Sequence, residues 1–279
     1  MASLDPMART RASVYGGAVM RARPSLLTFG LALGVAACAP HATDHPGGLA
    51  STSLCADGYL LAVAPERIAA LSWQAGSPLS TAPGALLARP RLWDNREVLH
   101  GRTDGLVTGP GGRIAGDVAL EWGEDFDAVR RNARAVAALG GSAEALLGEL
   151  DALENLPKPP RKPRILYLSR SGGSAGPGTY VDAVITKAGG TNIAATPGWH
   201  TPSVEALLGL NPDIVLTSFF GSDYVGANDR AVRHAALRRF IAARPRIDVP
   251  GKLWPCAGPG LADATRRVNR GILAWAETA

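Results

Sequence analysis

Aromatic side chains make up only 6% of this 279-residue chain, and charged ones 19%. Only one aromatic, Phe240, falls within the two basic clusters, at residues 158–164 and 230–246. The pattern of a nucleic-acid-binding face is therefore missing, and a solvated helix face or a linker is the better reading of both clusters. A Walker motif, a zinc-spaced set of cysteine and histidine, and a dinucleotide fingerprint are also absent. The apolar run Leu26 to Val35 is too short for a comfortable membrane span, which takes about 20 residues. Even the basic excess is thin. With residues 1–37 set aside, 25 basic residues face 23 acidic ones, and the net charge of +5 falls to +2.

Those first 37 residues read as an export signal. Arg9, Arg11, Arg21 and Arg23 precede the apolar run, which stops at small residues. A start at Met20 would give a compact signal with Arg21 and Arg23 as its whole charged region. The closing Val35-Ala36-Ala37-Cys38 resembles the bacterial lipobox, in which the cysteine becomes the lipidated first residue. An ordinary soluble signal with a chance cysteine is the alternative. Residues 38–51 then read as a polar tether, and the chain from Cys38 to Ala279 is long enough for two small lobes.

The body of the chain carries one short cassette twice: Glu97 leading to Leu106-Val107-Thr108, and Glu205 leading to Ile214-Val215-Leu216-Thr217, with the offsets 97 to 107 and 205 to 215 alike. A repeated unit too small to be a domain implies two α/β lobes facing each other across a ligand cleft. Strands are expected at Thr52 to Leu54, Arg67 to Ser72, Leu106 to Thr108, Val118 to Leu120, Arg164 to Ser169, Asp213 to Thr217 and Lys252 to Trp254. Helical periodicity appears at Phe126, Val129, Ala133 and Val136, and again at Leu146, Leu150 and Leu153. Thr201 and Pro202 suit the opening of the helix that carries Glu205. Residues 52–141 thus read as an N-terminal lobe, 142–163 as a connecting helix with a proline-rich linker, and 164–279 as a C-terminal lobe. Alternating strands and helices argue for parallel sheets.

Taken in order, Arg164-Ile165-Leu166-Tyr167-Leu168, Ala188-Gly189-Gly190-Thr191-Asn192-Ile193, Trp199, Ser203-Val204-Glu205-Ala206-Leu207 and Asn211-Pro212-Asp213-Ile214-Val215 resemble a known family. It is the class III substrate-binding proteins of ABC importers, which carry vitamin B12, ferric siderophores or heme. The first half resembles it at Ser53-Leu54, Arg67 to Ser72 and Asn95 to Val107. The resemblance implies an α/β fold of two Rossmann-like lobes with parallel sheets, joined by a single long helix at about Ser142 to Asn155, with the ligand cleft between them. It implies a periplasmic, lipid-anchored monomer without a cofactor, handing its cargo to a permease with ATPase subunits. Glu97 and Glu205 fall where the family docks onto that permease. After Glu97, Arg102-Thr103-Asp104-Gly105 departs from the family's Arg-Pro-Asp-Leu, and residues 112–118 look short for a helix.

Under that resemblance Trp199 stands where a ligand-facing aromatic is often placed, and Trp73, Trp93 and Trp254 lie at or just after strand ends that open on the cleft. Core packing is the alternative for each, and the expectation for Trp275. His200 would ligate a heme or corrinoid metal, or simply be polar surface. Arg170, Tyr167 and Tyr180 would contact an anionic siderophore, or Tyr167 would pack within its strand. Cys55 and Cys256, the pair left after lipidation of Cys38, favour a disulfide joining the lobes, with free thiols or a soft metal or corrinoid contact as alternatives. Corrinoid is slightly favoured as cargo, because tryptophans outnumber anion-binding residues. The remote alternative is a serine hydrolase. Gly172-Gly173-Ser174-Ala175-Gly176 fits a nucleophile elbow, with Asp213 or Asp223 and His234 downstream, although Pro177-Gly178 delay the helix that the elbow needs at once.

Overall fold

Two short strand-and-helix units, each built round a buried apolar strand, account for the architecture. The computed structural model describes residues 47–88, 91–92, 103–112, 116–218 and 229–278, and Asp44–Ala279 form one compact unit. In the first half β1 (Leu49–Ser51), β2 (Ile68–Ser72), β3 (Arg91–Leu92), β4 (Gly105–Thr108) and β5 (Val118–Ala119) form a parallel sheet in the order β3-β2-β1-β4-β5. The second half contributes β6 (Arg164–Ser169), β7 (Ser174–Ala175), β8 (Thr191–Asn192), β9 (Trp199–His200), β10 (Ile214–Ser218) and β11 (Arg246–Val249). Here the parallel order is β11-β10-β6-β8, while β7 and β9 pair antiparallel apart from it. The fold is thus α/β with two lobes of parallel sheet. Ile165 to Leu168 and all of β10 are buried, as expected where both faces of a parallel strand are covered.

The lobes repeat one plan. β1 lies between β2 and β4 and leads into the Leu54–Val63 helix; β6 lies between β8 and β10 and is followed by the Tyr180–Lys187 helix. Thr108 Oγ1 donates to Val118 O at 3.5 Å, and Thr217 Oγ1 makes the same bond to Ile247 O at 3.4 Å. These two threonines are the structural equivalents. The equal offset seen in the sequence is therefore one residue out: Glu97 lies 11 residues before its threonine and Glu205 lies 12. The lobes differ in the crossover that follows. In the first lobe nine residues (109–117) join β4 to β5, fewer than a helical crossover needs. In the second, 27 residues (219–245) join β10 to β11 and include the Arg230–Arg233 and Ala235–Ala242 helices.

The link between lobes is an α-helix, Glu144–Asp151, that tightens into a 3-10 turn, Ala152–Asn155. The long helix ends there because Leu156, before Pro157, is held extended. The C-terminal Leu261–Thr278 helix then crosses back over the link. Asn269 Nδ2 donates to Pro157 O at 2.9 Å and to Ala188 O at 3.0 Å, and Arg266 Nη2 donates to Glu149 Oε2 at 3.0 Å. Gly271 lets this helix lie close on β11, since a Cβ there would stand 2.6 Å from Ile247 Cδ1. One core cluster runs through both lobes, from Leu49, Tyr59 and Val129 to Ile165, Val184 and Leu261.

Several sequence expectations are corrected. Thr52 to Leu54 is not strand: Ser53 Oγ accepts from Ala56 N at 3.3 Å and caps the Leu54–Val63 helix, and the strand comes earlier, at Leu49–Ser51, inside the segment read as tether. Lys252 to Trp254 is not strand either. Pro250 and Pro255 bracket it, removing two amide donors, and it forms a 3-10 turn, Gly251–Leu253, after the last strand β11. The helix carrying Glu205, Val204–Gly209, is capped by Ser203 rather than opened by Thr201 and Pro202. The basic cluster at 230–246 carries two helices, Arg230–Arg233 and Ala235–Ala242, separated at His234. Glu97 lies outside the described residues.

Candidate functional site

Ligands of open parallel sheets bind beyond the carboxyl ends of the strands. In the second lobe those ends converge on four aromatic rings. Tyr167 lies within β6, buried with 3% of its surface accessible. Tyr180 opens its helix, whose start is fixed by Thr179: the hydroxyl accepts from Asp182 N at 3.2 Å and donates to Gly176 O at 2.8 Å. Trp199 is held in β9 opposite Ala175 of β7. Trp254 sits between the Gly251–Leu253 and Pro255–Ala257 turns.

The Trp199 ring lies 4.9 Å from Tyr180 and 6.2 Å from Tyr167 between centroids, and Trp254 lies 5.9 Å and 6.1 Å from the same two. Such pairs contribute about 0.5–1.5 kcal/mol each beyond area burial. Trp199 is 48% exposed and forms the open face, whereas Trp254, at 2%, forms the backing. Of the alternatives for Tyr167 and Trp254, their burial matches packing rather than open cleft wall: both support the wall from behind. Burial pushes the Tyr167 phenol up to about 12 and raises that of Tyr180, so the wall is uncharged at neutral pH. The Trp254 Nε1–H is buried without an acceptor, which costs about 1–3 kcal/mol.

The first lobe brings two exposed tryptophans to its own strand ends. Trp73, 52% exposed, opens the Trp73–Gly76 turn, where Ser72 Oγ accepts from Gln74 N at 3.2 Å. Trp122, 68% exposed, follows β5 on a loop held by Asn132, which accepts from Glu121 N at 2.9 Å and donates to Glu121 O at 3.1 Å. Sequence reasoning missed Trp122, although the criterion applied to Trp73, a tryptophan just past a strand end, would have found it. Below Trp73 the buried Asp57 carboxylate accepts from the Ser51 hydroxyl, from Ser72 N at 2.8 Å and from Ser72 Oγ at 2.6 Å. No sequence pattern pointed to this network.

The other candidates divide. Cys55 and Cys256 are bonded, with Cα atoms 5.5 Å apart across 201 residues, which removes the free-thiol and metal-contact readings. Arg170 Nε stands 2.9 Å from Asp229 Oδ1 in a largely buried ion pair, so its guanidinium is already engaged by a carboxylate. His200, half-buried, has Nδ1 3.3 Å from Gly198 O, on the side of β9 opposite Trp199. Glu205 is exposed in the first turn of its helix. Ser174 is buried, its hydroxyl donating to Tyr167 O at 2.8 Å, and Asp213 accepts from Arg164 N at 2.7 Å at the opposite end of the sheet, so the structure does not bring Ser174 and Asp213 together. Trp93, Glu97, Cys38 and Asp223 lie outside the described residues. Among the described residues no group of three or more histidine, cysteine or acidic side chains is placed to hold a metal ion, and no helix is long and apolar enough to cross a membrane.

No protein-family model and no curated protein matches the sequence. Solved structures do match. The periplasmic heme-binding protein RhuT from Roseiflexus sp. RS-1 is 20% identical with a TM-score of 0.60, over 82% of this chain and 99% of its own. A periplasmic heme-binding protein from Pseudomonas aeruginosa is 22% identical, TM-score 0.57, over 81% and 92%. The periplasmic vitamin B12 binding protein BtuF of Vibrio cholerae is 16% identical, TM-score 0.57, over 83% and 98%. The chain therefore has the two-lobed α/β fold of class III periplasmic binding proteins.

Proposed function

We propose that this chain is a periplasmic solute-binding protein, lipid-anchored through Cys38, that captures a metal chelate between its lobes and delivers it to an ABC permease. The observation that carries this reading is the neutral aromatic wall at the strand ends, with Trp199 half-exposed over Tyr167, Tyr180 and Trp254 and with Trp73 and Trp122 exposed on the other lobe. Large, flat, mostly apolar ligands are bound by such faces. Heme-binding and vitamin B12-binding proteins share the fold, which supports a porphyrin or corrinoid cargo. A ferric siderophore is less well supported, since Arg170 is engaged by Asp229. Glu97 and Glu205 would set the register on the permease, giving orientation more than affinity.

Tryptophan-fluorescence titration of residues 44–279 with hemin, cyanocobalamin and ferric siderophores, checked by calorimetry, tests the reading. Saturable one-to-one binding to one class is expected, and no binding by a folded sample removes it. In transport assays Glu97→Arg with Glu205→Arg should abolish uptake while leaving ligand affinity near wild type. Equal loss of both would remove the docking role.

A further inference from the structure

We infer that the Cys55–Cys256 disulfide is the centre of an inter-lobe clasp that positions the aromatic wall; the inference rests on the ligand-binding reading above. Cys55 lies in the first turn of the first-lobe Leu54–Val63 helix, and Cys256 lies two residues after Trp254. Two further links run beside the bond. Gly123, next to Trp122, meets the same turn so closely that a Cβ there would stand 3.1 Å from Ala257 Cβ and 3.2 Å from Ala257 O. Glu124 Oε2 accepts from Tyr180 N at 3.2 Å. Residues 55, 123 and 124 of the first lobe thus reach 256, 257 and 180 of the second.

The backbone of the clasp is strained. Cys256 and Ala257 have φ of 59° and 47°, left-handed values without glycine, which persist only where the surroundings over-determine them. The bond supplies that constraint, and the turn passes it on, since Ala257 N donates to Trp254 O at 3.3 Å. At this edge a partly open pocket, lined by Leu54, Gly58, Leu61, Leu253, Pro255 and Pro259, lies beside the bond. The clasp therefore holds the two rings nearest to it, Trp254 and Tyr180, which lie 5.9 Å apart and back the exposed Trp199. A wall fixed before the ligand arrives spares the cost of ordering it on binding.

Hydrogen exchange read by mass spectrometry on the ligand-free chain tests the clasp directly. In Cys55→Ala with Cys256→Ala, amide protection should fall in peptides covering residues 179–183 and 253–258 and hold at 129–136 and 165–168. Whichever of hemin and cyanocobalamin binds the wild type should bind this variant at least about tenfold more weakly. Gly123→Val keeps the disulfide but drives a side chain into Ala257, and should produce smaller changes of the same kind; it decides the matter if the double variant does not fold. Unchanged protection in those two segments, loss spread evenly over the chain, or unchanged probe affinity overturns the clasp. If neither probe binds the wild type, the porphyrin-or-corrinoid reading fails by itself, and the exchange pattern still decides whether the clasp exists.

Discussion

Replacing Asp57 by alanine should lower stability by about 2–3 kcal/mol, and replacing it by asparagine by roughly half as much. The carboxylate is buried at 1% exposure and accepts three hydrogen bonds, from the Ser51 hydroxyl and from the Ser72 amide and hydroxyl. In the alanine variant Ser72 N keeps a second acceptor, Ser51 Oγ at 3.2 Å, so the two hydroxyl protons are the donors left stranded. At about 1–1.5 kcal/mol each they account for the estimate. Asparagine retains one carbonyl oxygen and so strands fewer. The pH dependence has a definite sign. Burial raises the Asp57 pKa above 3.8, outweighing the serine hydrogen bonds that lower it. The folded state then binds the proton more tightly than the unfolded state, so the contribution of Asp57 is full below that value and is lost as pH rises through the raised one. Urea unfolding followed by tryptophan fluorescence should show wild type exceeding Asp57→Asn by more at about pH 3.5 than at about pH 6.5. An alanine variant within about 0.5 kcal/mol of wild type, or a gap that widens with pH, would refute the reasoning.

Trp199→Ala should weaken binding of hemin or cyanocobalamin about tenfold while costing under about 1 kcal/mol of stability, because half of the ring is already in water; calorimetry and thermal unfolding separate the two effects. Burial pushes Tyr59 and Tyr167 up to about 12, so their phenolate absorbance should stay silent through pH 10 in the folded protein and appear near 12 or on unfolding. Stability from these two groups is present below pH 10 and is lost as pH rises from there through about 12. Gly271→Val should destabilise by about 1–3 kcal/mol through overpacking on Ile247, with a lower urea midpoint and an unchanged slope.

What was legible in the sequence follows from how much of each element's stabilisation is local. β6 and β10 read directly as strands because both their faces are buried, leaving continuous apolar runs, Ile165 to Leu168 and Ile214 to Leu216. The Phe126–Ala137 helix read directly because Val129, Ala133 and Val136 share a buried face. β1 did not, because Leu49-Ala50-Ser51 has little strand propensity and is held by parallel neighbours on both sides, a nonlocal cause. Lys252 to Trp254 misled for the converse reason: its apolar pair fills the core from a turn that the flanking prolines impose. In the site, Trp73 and Trp254 were picked out by their place at strand ends and Trp122 was overlooked, but position did not say which of them faces outward. Trp73 and Trp254 carry the same local signal, and only tertiary packing buries one and leaves the other half-exposed.

The two lobes share a strand plan but not a division of labour. The first lobe joins β4 to β5 through nine residues, and its exposed aromatics, Trp73 and Trp122, stand on separate loops at 52% and 68% exposure. The second lobe gathers four rings from β6, β9, the Tyr180–Lys187 helix and the turn after β11 into one mutually packed group. A ligand meeting both surfaces would find a mutually packed group of rings on one side and more exposed, loop-borne rings on the other. Discrimination between a porphyrin and a corrinoid would then fall to the second lobe, because only a wall that does not yield can reject a near-fit by steric mismatch. Substitutions at Trp199 or Tyr180 should change which probe is preferred, whereas Trp73→Ala and Trp122→Ala should weaken both probes in the same proportion; competition titrations with hemin and cyanocobalamin distinguish these outcomes, and a preference switched from the first lobe would contradict the division.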